Sequence, residues 1–402
     1  MWASEFFAIW ERFCLKIANA DGVAFFIKSD TLSGAEKRVA KLAQRLSSMG
    51  VKALIFTDAQ TADVYRKAQY VDSSLLRTWE YPLVTRVTGI GRRKLAKFRR
   101  VFGLEYLHLK LVHRYWFRQF KSDSIGISHV FINPAICRDL PGPKIYEITS
   151  PDMARVLENK AAQYPGDFFP SATLLRPNSE SVEAAFGPTL RRWQIQTAQT
   201  ALFIPDVEQE MDLHNKENLI VFAHRLVARK NPLVFAEAVK QFLARHHGWK
   251  FAILGGGEQK SKVSECLKDE VQEGKVEVGY VSNVHEYLAR SKIFVSIESE
   301  DNYSNQSVLE AMWSYNALLL TDRGATRKRY FNDNGLFCEP DVDSVASALE
   351  ALIEDEAMLG SMACASRRLV EETFSVDAYI ADLERAYREV LPSARSISNP
   401  HR

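Results

Sequence analysis

Two cations, Arg225 and Lys230, stand five residues apart and follow the apolar run 219–222. That run predicts a buried strand, and ligands of open parallel sheets bind in the crevice beyond the carboxyl ends of the strands. A guanidinium offers a planar fork of donors and an ammonium offers a point charge, and both bind phosphate. Two ordinary surface cations would give the same pattern, so this pair alone leaves both interpretations open.

A polar loop and a helix follow the apolar run 293–297. The segment 304–307 (Ser-Asn-Gln-Ser) brings hydroxyl and amide groups to the start of the helix, and Glu310 lies on its more polar side. A helix N-terminus combines backbone N–H donors with the positive end of the dipole, which suits phosphate or sugar hydroxyls. A well-capped surface helix is the alternative interpretation.

Glycines stand at two further places where a strand is predicted to end. Ser33 and Gly34 follow the first apolar run of the chain, and Gly255 and Gly256 follow the run 251–254. Glycine lets a backbone approach a ligand closely, as binding of a diphosphate requires. A single glycine at a turn is a weak signal for that role.

Strand-like runs alternate with helical stripes along the whole chain. They lie at 23–27, 51–56, 125–132, 144–148, 172–175, 219–222, 251–254, 293–297 and 317–320. The order predicts an α/β protein with two doubly wound, Rossmann-like domains that face each other across a cleft. A polar stretch around 193–218 predicts the connection between them, and 402 residues suffice for two cores.

Composition narrows the class of protein. No segment approaches 18 consecutive apolar residues, and the first residues carry Glu5, Glu11 and Arg12, so neither a membrane span nor a secretory signal is predicted. The five cysteines are widely spaced and form no C-x-x-C motif, which predicts reduced thiols in a cytoplasmic protein and no metal site.

Charge is unevenly distributed, although the net charge is only +2. Residues 1–200 hold 29 Lys and Arg against 18 Asp and Glu, whereas residues 201–402 hold 23 against 32. The segment 86–121 alone has 11 basic residues and one acid, with aromatic residues between them. Such a segment fits an anionic membrane surface. A solvated helical face with its aromatics in the core and a nucleic-acid surface are the alternatives, of which nucleic acid is the least favoured.

The C-terminal half resembles the family 4 retaining glycosyltransferases, the group 1 set with the GT-B fold. Four segments carry the resemblance: Arg225 with Lys230, Leu254-Gly-Gly-Gly-Glu258, Gly279-Tyr-Val-Ser-Asn283, and 296–312 with its Leu-Glu-Ala-Met end. The likeness covers residues 219–390 well and 23–60 moderately, and little is recognised between 61 and 195.

The resemblance implies roles for individual residues. Arg225 and Lys230 would stabilise the leaving donor diphosphate, and Glu310, the second glutamate of the E-x7-E region, would bind the donor ribose. The other residues expected at the donor are Ser33, Gly34, Gly255, Gly256, Tyr280, Val281, Asn305, Gln306 and Ser307. The nucleotide diphosphate sugar is a substrate, and no cofactor or metal is expected.

Two positions depart from the family pattern. Asn302 stands where the first glutamate of E-x7-E belongs, next to Asp301, so one of these two residues is expected to hold the transferred sugar. The family's N-domain often places a histidine or acid by the sugar at a strand end. Here the candidates on the acceptor side are His129, Glu147 and Ser150, and a structural histidine is the alternative for His129.

The resemblance therefore implies a cytoplasmic glycosyltransferase that acts on a glycan or lipid-linked acceptor in cell-surface polysaccharide or glycolipid biosynthesis. Residues 1–205 would bind the acceptor, 206–375 the donor, and a C-terminal helix at about 376–391 would pack back on the first domain. A nucleotide-sugar epimerase or hydrolase on the same fold, and a donor-binding partner subunit without transfer activity, remain alternatives.

Overall fold

The computed structural model describes residues 22–28, 34–69, 71–79, 125–131, 142–163, 173–201, 203, 216–281 and 283–390. The chain divides into two compact units. The first holds the described residues up to Asn178, Val182–Ala198 and the chain from Ala381, and the second holds Ser179–Ser181 and Gln199–Ile380. Three short crossings between the units therefore follow Asn178, Ser181 and Ala198, and a fourth lies within the last helix.

The first unit contains a parallel sheet. Its strands are β1 (Val23–Phe26), β2 (Ala53–Asp58), β3 (Leu76–Trp79), β4 (Ile127–Val130), β5 (Lys144–Ile148), β6 (Thr173–Pro177) and β7 (Gln194–Ile195). They pair in the order β3-β2-β1-β4-β5-β6-β7, and each pairing is parallel. The helices of this half are α1 (Gly34–Ser48), α2 (Ala59–Lys67), α3 (Pro151–Gln163) and α4 (Glu180–Ala184), of which α4 begins within the second unit.

The second unit repeats this plan. Its strands are β8 (Glu217–Ala223), β9 (Lys250–Leu254), β10 (Val276–Gly279), β11 (Ser291–Ser296), β12 (Ala317–Thr321) and β13 (Gly335–Cys338). They pair in parallel in the order β10-β9-β8-β11-β12-β13. The helices are α5 (Pro232–Leu243), α6 (Lys260–Cys266), α7 (Lys268–Gln272), α8 (His285–Arg290), α9 (Gln306–Trp313), α10 (Thr326–Tyr330), α11 (Val342–Glu354), α12 (Glu356–Thr373) and α13 (Val376–Val390).

Alternate residues of the second sheet face two separate apolar layers. Phe222 and Ile253 pack with Phe235 of α5, whereas Val221 and Leu254 pack with Leu309 of α9. Because both faces are covered by helices, the strands read as continuous apolar runs and not as alternating ones. Full burial of a large apolar side chain stabilises a fold by about 1.5–3 kcal/mol relative to exposure.

The predicted fold class is confirmed: two Rossmann-like α/β units with parallel sheets fit the GT-B fold. The basic segment 86–121 lies outside the described residues, as does the predicted loop residue Ser33. In the parts of the chain that the structure describes, no helix is both long and apolar enough to cross a membrane.

Candidate functional site

The strand order of the second sheet reverses between β8 and β11, which are hydrogen-bonded neighbours. Loops that leave such neighbours turn to opposite faces of a sheet, and the crevice between them binds ligands in open α/β folds. The loop 224–231 follows β8 and the loop 297–305 follows β11. These are the loops in which the sequence places Arg225, Lys230, Asp301 and Asn302.

Glycines fix the shape of the loop after β8. Gly255 has φ +153°, and a Cβ on it would lie 1.9 Å from the backbone oxygen of His224. Gly257 has φ +154°, and a Cβ there would lie 2.4 Å from the oxygen of Leu226. The Leu226 amide also donates to the Gly256 carbonyl at 2.9 Å. The first and third glycines are therefore needed for contact between two backbones, whereas Gly256 faces open space.

Lys230 ends a short 3-10 turn, Ala228–Lys230, and its side chain is buried against Glu298. Lys230 Nζ donates to Glu298 Oε1, and Arg229 Nη1 donates to Oε2 at 2.9 Å. Asn231 follows with φ +52° at the N-cap position of α5, yet its side chain does not cap that helix. Its Nδ2 donates instead to the carbonyl of Ile297 at 2.8 Å, which joins the two loops.

The electrostatics of this cluster favour an anion. Burial and the neighbouring Arg229 lower the pKa of Lys230 from its ordinary value. The Glu298 carboxylate, which contacts Nζ, favours the charged ammonium. Burial and Lys230 lower the pKa of His224 well below its ordinary value, so this imidazole is neutral at pH 7. Lys230 and Arg229 therefore share one carboxylate, that of Glu298.

Arg225 differs from Lys230 in its surroundings. Its side chain is exposed, and it forms no ion pair or side-chain hydrogen bond with the described residues. The carbonyl of Arg225 accepts from the Val227 amide at 2.9 Å, which shapes the turn. Of the predicted pair, Lys230 is therefore buried and paired, whereas Arg225, in the same loop, is exposed to solvent.

Asn302 lies in the loop after β11, and its side chain is buried. Its Nδ2 donates to the Ser296 carbonyl at 2.9 Å, while its Oδ1 accepts from Ser296 Oγ at 2.9 Å and from Asn305 Nδ2 at 3.1 Å. These bonds hold the loop on the end of β11. These bonds involve the same side-chain amide that is expected to contact the transferred sugar. A sugar contact by Asn302 stays a prediction, and it would require some of these bonds to break.

Asp301 accepts hydrogen bonds from its own loop and from two other segments of the second unit. Its Oδ1 accepts from the amides of Tyr303 at 3.0 Å and Ala325 at 3.2 Å, and its Oδ2 accepts from the hydroxyls of Ser179 and Ser181. An anion that accepts several hydrogen bonds is well suited to fixing a turn. A role of Asp301 at the sugar remains a prediction.

Asn305 caps α9 and joins it to the buried carboxylate. Its Oδ1 accepts from the Ser307 amide at 3.1 Å, and its Nδ2 donates to Glu298 Oε1 at 3.1 Å. The helix therefore begins next to the Lys230 cluster. Gln306 and Ser307 form its first turn, and Glu310 follows one turn further along, half-buried. The predicted donor residues of this segment thus lie together at one helix end.

The segment after β10 presents an aromatic ring. Tyr280 is 77% exposed, so its ring is accessible to solvent. Val281 is partly buried against the apolar layer beneath α9. Asn283 caps the next turn through its Oδ1, which accepts from the His285 amide at 3.2 Å. The Tyr280 ring is therefore exposed to solvent, whereas the next residue, Val281, packs on the apolar layer.

The acceptor-side candidates of the first unit form a buried network. His129 Nε2 lies 2.8 Å from Glu147 Oε1, and Glu147 Oε1 lies 3.3 Å from Arg176 Nε. Arg176 Nη2 also donates to Asp382 of α13, and His129 Nδ1 lies 3.1 Å from the hydroxyl of Tyr387 in the same helix. The side chains of His129 and Glu147 are 0% and 4% exposed. Their placement favours a structural role.

Protonation in this network follows from its partners. Burial raises the pKa of Glu147, but Arg176 and the hydrogen bond with His129 outweigh it and lower that pKa to about 2. Burial lowers the pKa of His129. Because the Glu147 carboxylate can only accept, the single proton of a neutral His129 lies on Nε2, and Nδ1 accepts from Tyr387.

The other two sequence candidates are placed differently. Ser150 precedes α3 and is half-exposed, and its Oγ accepts from the Met153 amide at 3.1 Å. It caps the helix and still reaches solvent. Gly34 is the first residue of α1, as expected for a loop glycine that opens a helix.

Sequence reasoning missed the residues that organise the cluster. The sequence patterns assigned no role to Glu298, Arg229 or His224. The signal available for Glu298 was an acid directly after the buried run 293–297, where a charge in an apolar setting needs a partner. Nothing in the sequence spacing identified Lys230 as that partner.

A separate pocket of about 340 Å³ lies at the opposite edge of the second sheet, where β8 and β11 begin. Lys216 lines it and donates to the carbonyls of Leu288, Ser291 and Ser314 at 3.2, 2.5 and 2.6 Å. These carbonyls end α8 and α9, so Lys216 caps two helix C-termini. Among the described residues, no group of three or more His, Cys, Asp or Glu is placed to hold a metal ion.

Comparison with protein families gives one match in the second unit. Residues 217–355 match the model of the family described as "Glycosyl transferases group 1". The match begins at β8 and ends just after α11, so it contains both switch-point loops. No curated protein sequence matches the chain.

Solved structures with the same fold include several glycosyltransferases. A glycosyltransferase from Rickettsia africae aligns with a TM-score of 0.69 at 14% identity, covering 93% of this chain and 99% of its own. HepE from Anabaena in complex with UDP and glucose aligns at 0.64 and 13%, covering 92% and 98%. A mutant of TarM from S. aureus with Fondaparinux, alpha-GlcNAc-glycerol and UDP aligns at 0.64 and 12%, covering 92% and 100%. The solved structures show the shared fold, and the match to the group 1 glycosyltransferase model covers residues 217–355.

Proposed function

We propose that this protein is a glycosyltransferase that takes a sugar from a nucleotide diphosphate sugar. The observation that carries the proposal is the excess of cations at the switch point of the second sheet, inside the segment that matches group 1 glycosyltransferases. Departure of a nucleotide diphosphate develops negative charge. Fixed cations and a helix N-terminus stabilise such a charge without reorganisation at the moment of reaction.

Each part of the donor has a matching feature in the second unit. Arg225 is solvated and free to meet the diphosphate, and Lys230 with Arg229 supplies further positive charge beside it. Tyr280 offers an exposed ring for a nucleobase, and Glu310 offers a carboxylate for ribose hydroxyls. We include retention of configuration and independence from metal in the proposal, in line with the family resemblance.

The proposed acceptor is inferred from the sequence, namely from the family resemblance and the basic segment 86–121. A glycan or lipid-linked acceptor in cell-surface polysaccharide or glycolipid biosynthesis fits a cytoplasmic enzyme whose basic segment 86–121 binds the inner face of an anionic membrane. Salt-sensitive co-sedimentation with anionic vesicles, lost on replacing Arg92, Arg93, Lys94 and Lys97 with Ser, is the expected result. Equal binding to neutral vesicles would contradict the membrane role and leave the donor site unaffected.

The donor can be identified by a thermal-shift panel of UDP, GDP and their sugars, because a ligand that binds the folded state raises stability in proportion to ln(1+[L]/Kd). Product analysis with the best donor, with and without glycan acceptors, then follows. Transfer to an acceptor supports the proposal. Sugar release or epimerisation from the donor alone would instead identify a hydrolase or an epimerase.

A donor-binding subunit without transfer activity is the second candidate. It is favoured by Asn302, whose amide stands where the family has a glutamate and is bonded to Ser296 and Asn305. Donor binding without turnover across a panel of acceptors would establish this alternative.

A further inference from the structure

Glu298 is a buried carboxylate at the end of β11 that the proposed transfer does not itself use. Its side chain is 2% exposed, and its two oxygens accept from Lys230, Arg229 and Asn305. Its backbone carbonyl accepts from Thr321 Oγ1 at 2.6 Å, which ties this point of the chain to β12. The backbone of Glu298 is therefore held from β12, and its carboxylate is held by residues of the two loops.

The surroundings of Lys230 explain why a carboxylate is needed there. The charged or titratable groups that face the ammonium are Arg229, Glu298 and His224. Burial of Lys230 and the positive charge of Arg229 both lower the pKa of this ammonium. The neutral His224 supplies no negative charge that would raise it. A nearby opposite charge is the group that keeps a buried amine protonated. Without Glu298, Lys230 would lose its proton more easily and with it the attraction for phosphate.

We propose that Glu298 is a positioning residue of the donor site, which keeps Lys230 as an ammonium and holds it with Arg229 where a donor diphosphate would meet them. The inference rests on the proposed function. Glu298 is too buried to contact the donor, so it acts through the two cations. Through Asn305, the cap of α9, it also links these cations to the helix N-terminus.

The variant Glu298→Gln tests this role, because it removes the charge and keeps the volume. Kd values for UDP and GDP are measured from pH 6 to 9 in the wild type and the variant. Their ratio at each pH cancels the titration of the nucleotide itself. We expect similar affinities at pH 6 and a loss of about tenfold by pH 8.5, since an opposite charge shifts a neighbouring pKa by about 1 unit or more. A loss that is equal at every pH, or no loss, would overturn the inference.

Matched variants separate positioning from folding. Glu300→Gln changes an exposed acid two residues along and is expected to leave the ratio at 1 throughout. Glu298→Asp keeps a carboxylate, so its binding should weaken without a change in pH dependence, and it carries the test if the glutamine variant does not fold. In a Lys230→Met background, Glu298→Gln should add no pH dependence. An additional pH effect there would contradict action through Lys230.

A readout without nucleotide distinguishes this inference from the proposed function. Lysines labelled with ¹³C at Cε report the titration of Lys230 by NMR, with the signal assigned from Lys230→Arg. A lower midpoint in Glu298→Gln supports the role of Glu298. Binding of UDP or GDP with an unchanged midpoint would overturn that role alone, whereas a wild type that binds no nucleotide diphosphate would overturn the proposed function.

Discussion

Two buried charge clusters lie near the carboxyl ends of parallel strands, one in each unit, and they differ in their balance of charge. In the first unit, Arg176 lies between two carboxylates, Glu147 and Asp382, and His129 is neutral. In the second unit, Lys230 and Arg229 share Glu298, and Arg225, in the same loop, has no side-chain partner among the residues that the structure describes. Asp382 also pairs with the exposed Arg385, so the first cluster has two arginines for two carboxylates among these groups, whereas the second has three cations for one carboxylate.

The source of the partners differs as well. The first cluster is closed by α13, which contributes Asp382 and Tyr387 from more than 200 residues along the chain. The second is built from the two loops that flank the switch point, and it leaves Arg225 exposed. A balanced cluster that a helix covers holds a fold together, whereas a cluster with excess charge at a sheet edge attracts a ligand of opposite sign. The comparison therefore predicts different consequences when the central cation of each cluster is removed.

Arg176→Ala should have the largest effect, and on stability. Removal of one partner from a buried ion pair typically costs about 3–5 kcal/mol, and here Glu147 would stay buried without Arg176, whereas Asp382 would keep Arg385. Chemical denaturation of the first unit measures this loss. Arg155→Ala is the control, since its pair with Asp152 is exposed and worth less than about 1 kcal/mol. An Arg176→Ala protein that is as stable as the wild type but no longer binds donor would contradict this comparison, because it would place donor binding in the first cluster.

Lys230→Ala should act mainly on transfer. Loss of one preorganised donor to developing charge typically costs about 2–4 kcal/mol of transition-state stabilisation, and kcat/KM for the donor measures it. Some stability is also lost because Glu298 keeps only Arg229 and Asn305. Lys240→Ala on α5 is the control for removal of an exposed lysine from the same unit. If kcat/KM of Lys230→Ala equalled that of the wild type, this cluster would not stabilise the leaving diphosphate.

Much of this could be predicted from sequence because the signals are local. Buried runs such as 293–297 and 317–320 indicated strands β11 and β12, and their alternation with helices indicated two doubly wound units. The cations after β8 were found for the same reason: a strand end followed by a turn is visible within ten residues. Gly255 and Gly256 were also visible at a strand end, although the reason for Gly255 is not local, since a side chain there would meet the backbone of His224 in the loop after β8.

The rest depends on contacts between distant parts of the chain. Glu298 is 68 residues from Lys230, and their pairing follows from the hydrogen-bonded neighbours β8 and β11. His129 and Glu147 were candidates because the resembled family often places a histidine or an acid by the sugar at a strand end. The side chains that bury them come from α13, whose packing on those strands no spacing in the sequence reveals.

Arg225→Ala should weaken donor binding by a smaller amount. A hydrogen bond to a charged group is worth about 1.5–3 kcal/mol, and this side chain has solvent to return to in the free protein. Because it has no partner among the described residues, the melting temperature should stay the same. Isothermal titration with the preferred nucleotide diphosphate measures the loss, with Arg368→Ala on α12 as the control for an exposed arginine. A lower melting temperature with unchanged affinity would mean that Arg225 belongs to the fold and not to the excess charge.

The smallest effect is a pH dependence of stability that belongs to the first cluster. The folded-state pKa of His129 lies below its ordinary 6.5, so the unfolded chain binds this proton more readily. The stabilisation is complete above pH 6.5 and declines as the pH falls below it, by no more than about 1.4 kcal/mol per pH unit for one proton. Glu147, with a pKa of about 2 against 4.5 when unfolded, adds a second loss between those values. Denaturation at pH 7.5, 6 and 5 should show a smaller decline in His129→Gln than in the wild type, because His224, whose pKa also lies well below its ordinary value, keeps its own contribution. An equal decline in both proteins would place the titrating group outside this cluster.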